Sequence, residues 1–109
     1  MSTIAELESH AGEAAAFLRL IANERRLLVL CRLLELGESS VSDLAAQVGL
    51  SQSALSQHLA KLREDGLVGY RREAQTLHYA VRDARTIRIL GLLKDMFCPD
   101  PGEANGDDR

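Results

Sequence analysis

Between Ser40 and Gly66 the chain carries two short runs of helical periodicity separated only by Gly49-Leu50-Ser51. The first follows Ser40-Val41-Ser42-Asp43, which fits a capping box with Ser40 accepting from a free amide and Asp43 reaching back. It offers Leu44, Ala45 and Val48 to a core and stops at Gly49. The second is capped by Ser51 and puts Ala54, Leu55, His58, Leu59 and Leu62 on an inward stripe. Gln52, Ser53, Ser56, Gln57 and Lys61 are left facing elsewhere. After Gly66 the apolar period changes from 3.6 to 2. Val68 and Tyr70 alternate with small or charged neighbours, and Leu77, Tyr79 and Val81 do so after an Arg71-Arg72-Glu73-Ala74-Gln75 link, which predicts a β-hairpin. Two short helices on a tight turn, followed by a hairpin, are the parts of a winged helix-turn-helix.

The flanks supply the remaining helices. A first helix from about Ile4 to Ile21 has Leu7, Ala11, Ala14, Ala15, Leu18 and Ile21 at helical spacing, with Gly12 weakening its middle. Asn23 caps a second, whose Leu27, Leu30, Cys31 and Leu34 share a face and whose end falls at Gly37, so Cys31 is expected to point largely inward. The last helix, about Ala84 to Phe97, holds Ile87, Ile89, Leu90, Leu92, Leu93, Met96 and Phe97, too many for one buried stripe. A partner chain is the economical cover for its second face. The fold class expected is mainly α with a small β-hairpin: four helices, two strands and a fifth helix, assembled as a dimer.

A length of 109 residues with 46% hydrophobic content describes one domain, placed at 1–98, while PDPGEANGDDR at 99–109 reads as a disordered acidic tail. The N-terminus lacks a basic start followed by an apolar run, and no stretch reaches the roughly 20 apolar residues a bilayer crossing needs, so a cytoplasmic protein without a membrane partner is expected. The two cysteines are then thiols rather than a structural framework.

A net charge of -3 argues against nucleic acid only until its distribution is read. From Leu50 to Leu90, seven basic residues face four acidic ones, a local +3, and the acidic excess sits at the chain ends. A helix in the major groove must present hydrogen-bonding side chains near its N-terminus, and glutamine pairs with adenine in two places at once. Gln52, Ser53, Ser56 and Gln57 fit that task. Phosphates call for cations and a helix N-terminus beside the reading surface, which Ser51, Lys61, Arg71 and Arg72 supply. A serine and glutamine surface alone is often merely solvated; the basic hairpin after it favours double-stranded DNA as partner.

SVSDLAAQVGLSQSALSQHLAKLREDGLV followed by RREAQTLHYAV resembles the DNA-binding core of the ArsR family of bacterial repressors, and a looser likeness runs from about Leu18 through Phe97. The resemblance implies a homodimer joined by the first and last helices, an inverted-repeat operator entered by the fourth helix, and an inducer bound elsewhere. The interface then falls to Leu7, Ala11, Leu18, Ile87, Leu90 and Leu93. Metal-sensing relatives carry a Glu-x-Cys-x-Cys segment in the third helix or Asp and His ligands on the last. Here those places read Ser39-Ser40-Val41-Ser42-Asp43, and Asp83 with Arg85, so no metal or other cofactor is expected. His58 fits a packed core histidine, and His10 and His78 solvated ones.

A free cysteine on an apolar helix face is ordinarily a small core hydrophobe. Cys31 and Cys98 together, however, resemble the pair of the sulfide-responsive, persulfide-sensing branch of the family (the SqrR and BigR type). In that branch the thiols are neighbours that oxidation joins through a disulfide or polysulfide, so the resemblance implies a redox-sensing repressor induced by small reactive sulfur species. Three rivals stand beside it: a winged helix that serves only protein binding, which the glutamine and serine surface beside basic residues disfavours, a metal-responsive repressor using these cysteines with an unforeseen third ligand, and a thiol peroxidase-like enzyme. The last is disfavoured by the lack of Cys-x-x-Cys and of a histidine near either cysteine in sequence.

Overall fold

The computed structural model describes residues 3–98. The expected acidic tail at 99–109 lies outside them. Six helices and three strands follow in the order α1 (Ile4–Ser9), α2 (Ala11–Ile21), α3 (Glu24–Leu36), β1 (Ser39–Ser40), α4 (Val41–Val48), α5 (Gln52–Glu64), β2 (Val68–Glu73), β3 (Thr76–Val81) and α6 (Ala84–Phe97). Among the described residues no helix is long and apolar enough to cross a membrane.

The expected first helix is two helices, and the break is at His10 rather than Gly12. The Ser9 hydroxyl donates to the Glu6 carbonyl at 2.7 Å and the His10 amide turns back to Leu7 at 3.0 Å, a tightened last turn that ends α1 before glycine is reached. A full capping box stands at Thr3 and Glu6, each side chain accepting from the other's amide at 3.0 and 3.2 Å. At α4 the expected box is a single bond, from the Asp43 amide to the Ser40 hydroxyl at 3.2 Å.

The sheet has three strands in the order β1-β3-β2, one more than the hairpin expected. Ser39 and Ser40 pair antiparallel with Tyr79 and His78, while β2 and β3 run in register from Val68 opposite Val81 to Glu73 opposite Thr76. Two residues are too few to show alternation, so β1 exists only because β3 offers it a ladder. The hairpin turns at Ala74 and Gln75, with Ala74 held at φ 57°.

One core joins these parts. Leu30 and Leu33 of α3, Leu44 of α4, and Leu55, Leu59 and Leu62 of α5 are fully buried, and Tyr79, Val81 and Leu90 close the cluster from the sheet and α6. Asp83 caps α6 by accepting from the amide and the hydroxyl of the buried Thr86, both at 2.8 Å. The carboxylate that a metal-sensing relative would use as a ligand is therefore a cap here.

Candidate nucleic-acid interface and thiol groove

The turn between α4 and α5 is set by Gly49, which ends α4 in the left-handed conformation at φ 72°, and by Ser51, whose hydroxyl accepts from the Ala54 amide at 3.1 Å. Three leucines fix the inner face of α5, so its outer face is forced to solvent. Ser51, Gln52, Ser53, Ser56 and Gln57 are all exposed there, and His58 is half-buried, between stripe and surface. Lys61 stands one turn on, loosely paired with Glu64 and Asp65 at 3.9 Å each.

The wing is fastened to α5 by Arg63, whose guanidinium lies 5.0 Å from the centre of the Tyr70 ring, and Tyr70 stacks obliquely on Tyr79 at 5.3 Å. Arg63 was not among the residues the sequence singled out. Its signal was present only as a cation near the end of α5, and its partner lies across the fold. Burial raises the Tyr79 hydroxyl above its ordinary value, which the nearby Arg63 charge partly offsets.

The two wing arginines differ. Arg71 is held by Glu38, its Nε donating at 2.9 Å and its Nη2 at 3.0 Å, and it also reaches Glu73 at 3.3 Å. Hydrogen bonding from that guanidinium holds the Glu38 carboxyl below the usual carboxylate range, and the same pairing raises Arg71. Arg72 is exposed and makes no ion pair among the described residues. His78, expected to be solvated, is half-buried on β3, with its Nε2 3.5 Å from Glu73.

The thiols stand on α3 and just beyond α6. Cys31 is exposed on α3 rather than turned inward, because the neighbours that fill the core are Val29, Leu30 and Leu33, and Cys31 falls at the edge of that stripe. Cys98 is exposed just beyond α6, its amide bonded to the Lys94 carbonyl at 2.8 Å. Both thiols open on one groove of about 520 Å³ between α3 and α6, walled by Leu27, Leu34, Leu90, Leu93 and Phe97, with Glu35 and Lys94 as its charged members. Burial, and then the proximity of Cys98, push the Cys31 thiol up from its ordinary value. Among the described residues no group of three or more His, Cys, Asp and Glu side chains is placed to hold a metal ion.

Of the expected interface residues, Leu7, Ala11, Leu18 and Ile87 are exposed, and Leu93 is a half-buried groove wall. Leu90 belongs elsewhere. It is 2% exposed and packs in its own chain's core, because α6 turns Thr86 and Leu90 inward together. The sequence passed over Leu92, Met96 and Phe97 for the interface, and on α6 these apolar side chains are more open to solvent than Ile87, at 53%, 57% and 75%. Opposite them on α2, Phe17 lies under the Arg85 guanidinium at 5.0 Å.

Residues 23–70 match the family described as bacterial regulatory protein, arsR family. The chain is 47% identical over 93 residues to the transcriptional activator HlyU of Vibrio cholerae, covering 85% of each protein. A structure described as reduced HlyU from that organism superposes with a TM-score of 0.77, covering 85% of this chain and 97% of the other. The crystal structure of the transcriptional repressor BigR from Xylella fastidiosa superposes with a TM-score of 0.82 at 35% identity, covering 91% of this chain and all of that one.

Proposed function

The chain belongs to the ArsR family of bacterial regulatory proteins, and from that premise we propose that it is a cytoplasmic repressor released from its operator when reactive sulfur oxidises Cys31 and Cys98. Its role is to regulate transcription by binding DNA, without substrate turnover. The observation that carries the redox reading is the shared groove: two thiols from distant parts of the sequence open on one cleft, and the charge of one raises the other.

Cys98 attacks the sulfane sulfur of a persulfide R–S–SH. The R–S to sulfur bond breaks, R–SH leaves with the proton, and Cys98–S–SH remains. The Cys31 thiolate then attacks the Cys98 sulfur, the persulfide bond breaks, and sulfide departs as the Cys31–Cys98 disulfide forms. The dithiol loses two electrons and the sulfane sulfur takes them. Cys98 acts first because it stands exposed at the open end of α6, while burial pushes the Cys31 thiol up.

On the DNA side, Gln52, Ser53, Ser56 and Gln57 read base edges, while the Ser51 end of α5, Lys61 and Arg72 meet phosphates. Arg71 joins them only by leaving Glu38. Two copies paired through α2 and α6, with Leu18, Leu92 and Met96 covered, place the recognition helices on an inverted repeat with half-sites about 34 Å apart. A link between α3 and α6 joins the core that seats α5 to the helix that sets this spacing. A bias of about 1 to 3 kcal/mol against the DNA-binding geometry lowers affinity roughly 5 to 150-fold.

The test measures operator affinity for reduced, persulfide-treated and dithiol-restored protein. Reduced protein is expected to bind tightly, treated protein weakly, and dithiol to restore binding. Cys31→Ser and Cys98→Ser should each bind and no longer respond. Release of either single variant by persulfide would overturn the two-thiol mechanism.

A further inference from the structure

Resting on the redox reading above, we infer that the groove between α3 and α6 is a binding site for the apolar chain of an organic persulfide. The sensor then responds to lipophilic sulfur carriers in preference to small or charged ones. Five large side chains, Leu27, Leu34, Leu90, Leu93 and Phe97, wall the same cleft on which both thiols open. Its volume of about 520 Å³ lies within the range of small-molecule sites. Phe97 stands 75% exposed at its rim, a large apolar surface that a ligand chain would cover.

Charge points the same way. Glu35, one of the two charged groups bordering the groove, is paired with Arg32 at 2.8 Å, which leaves Lys94 as the sole cation there. Glutathione persulfide brings two carboxylates and an ammonium, and burying them in an apolar cleft strips water that one lysine does not replace. An alkyl persulfide loses little by the same transfer, and each buried methylene favours binding by about fourfold at most. The chain stays in the groove until Cys98 takes the sulfane sulfur, after which R–SH carries it away and the cleft is free for closure on Cys31.

The experiment uses the full-length reduced protein and a series of methyl, propyl, hexyl and glutathione persulfides. Second-order rate constants for Cys98 modification are read by intact mass, each divided by the rate of the same reagent with free N-acetylcysteine. The normalised rate should rise at least tenfold from methyl to hexyl, with glutathione persulfide near the bottom. Hexyl methyl sulfide, which has no transferable sulfur, should slow the hexyl reaction competitively. Phe97→Ala, which opens the rim at an exposed position, should flatten the chain-length dependence. Equal normalised rates along the series would overturn the groove's selectivity and leave the two-thiol switch standing. No reaction with any persulfide would instead overturn the switch. Modification that begins only on dilution to monomers would assign the groove to a second copy of the chain.

Discussion

The two working regions of this protein are finished to different degrees within one chain. The side proposed to read DNA, α4 with α5, rests on leucines at positions 44, 55, 59 and 62 that are fully buried, and Gln52, Ser53, Ser56 and Gln57 stand exposed on its outer face. The side proposed to sense sulfur, α2 with α6 and the groove against α3, leaves Leu18, Leu92, Met96 and Phe97 open. A base-reading helix must arrive preformed, since a small misplacement forfeits hydrogen bonds to bases. A switch needs a surface whose packing can change, and an incompletely covered apolar face provides one.

The strongest way to break this comparison is to damage each side's leucines. Leu59→Ala should cost about 2 to 5 kcal/mol of unfolding free energy, because a packed site is emptied. Leu92→Ala should change the stability of the single chain by no more than about 0.5 kcal/mol. Urea unfolding with dimer dissociation followed separately would show it; equal losses would mean that the two sides are packed alike.

Association gives the next effect. Met96→Glu places a charge on the open face of α6 and should yield monomers with poor operator affinity, read by sedimentation at micromolar concentration. Leu90→Glu should unfold the protein instead, since that side chain lies in the core. A dimeric Met96→Glu protein would move the interface away from α6.

Gln57→Ala should cost about 1 to 3 kcal/mol on the operator and little on random DNA. An equal loss on both would remove its base-reading role. Smaller still is the contrast between the wing arginines. Arg72→Ala should lower the slope of log affinity against log salt by about one, and Arg71→Ala by less, because Arg71 is already spent on Glu38. Glu38→Gln should release Arg71 and steepen that slope.

The thiols supply a pH test. Closure of the disulfide needs the Cys31 thiolate, whose pKa is raised by burial and by Cys98. Closure of the Cys98 persulfide should therefore keep accelerating, about tenfold per pH unit, past the point where an ordinary thiol levels off. A plateau at the ordinary thiol value would mean that Cys31 is not the resolving group.

Much of this was legible in the sequence by itself. Period, caps and glycines located α3, α4, α5, the wing and α6, because each is fixed by interactions within a few residues: Asn23 with Arg26, Ser51 with Ala54, Gly49 at positive φ. The polar face of α5 was legible for the same reason, since a buried stripe dictates what lies opposite it. Tertiary structure decided the rest. Strand β1 exists only beside β3, and Arg71 is claimed by a glutamate 33 residues away. Leu90 is core and Leu92 surface because α6 docks at one rotation out of several that its many apolar residues would allow. Cys31 lies outside the core because α3 turns Val29, Leu30 and Leu33 inward, and the docking of α6 opens it on one groove with Cys98. Local rules set which residues form an element, whereas its rotation against its neighbours is chosen by the whole core at once, and this choice put both thiols on one groove.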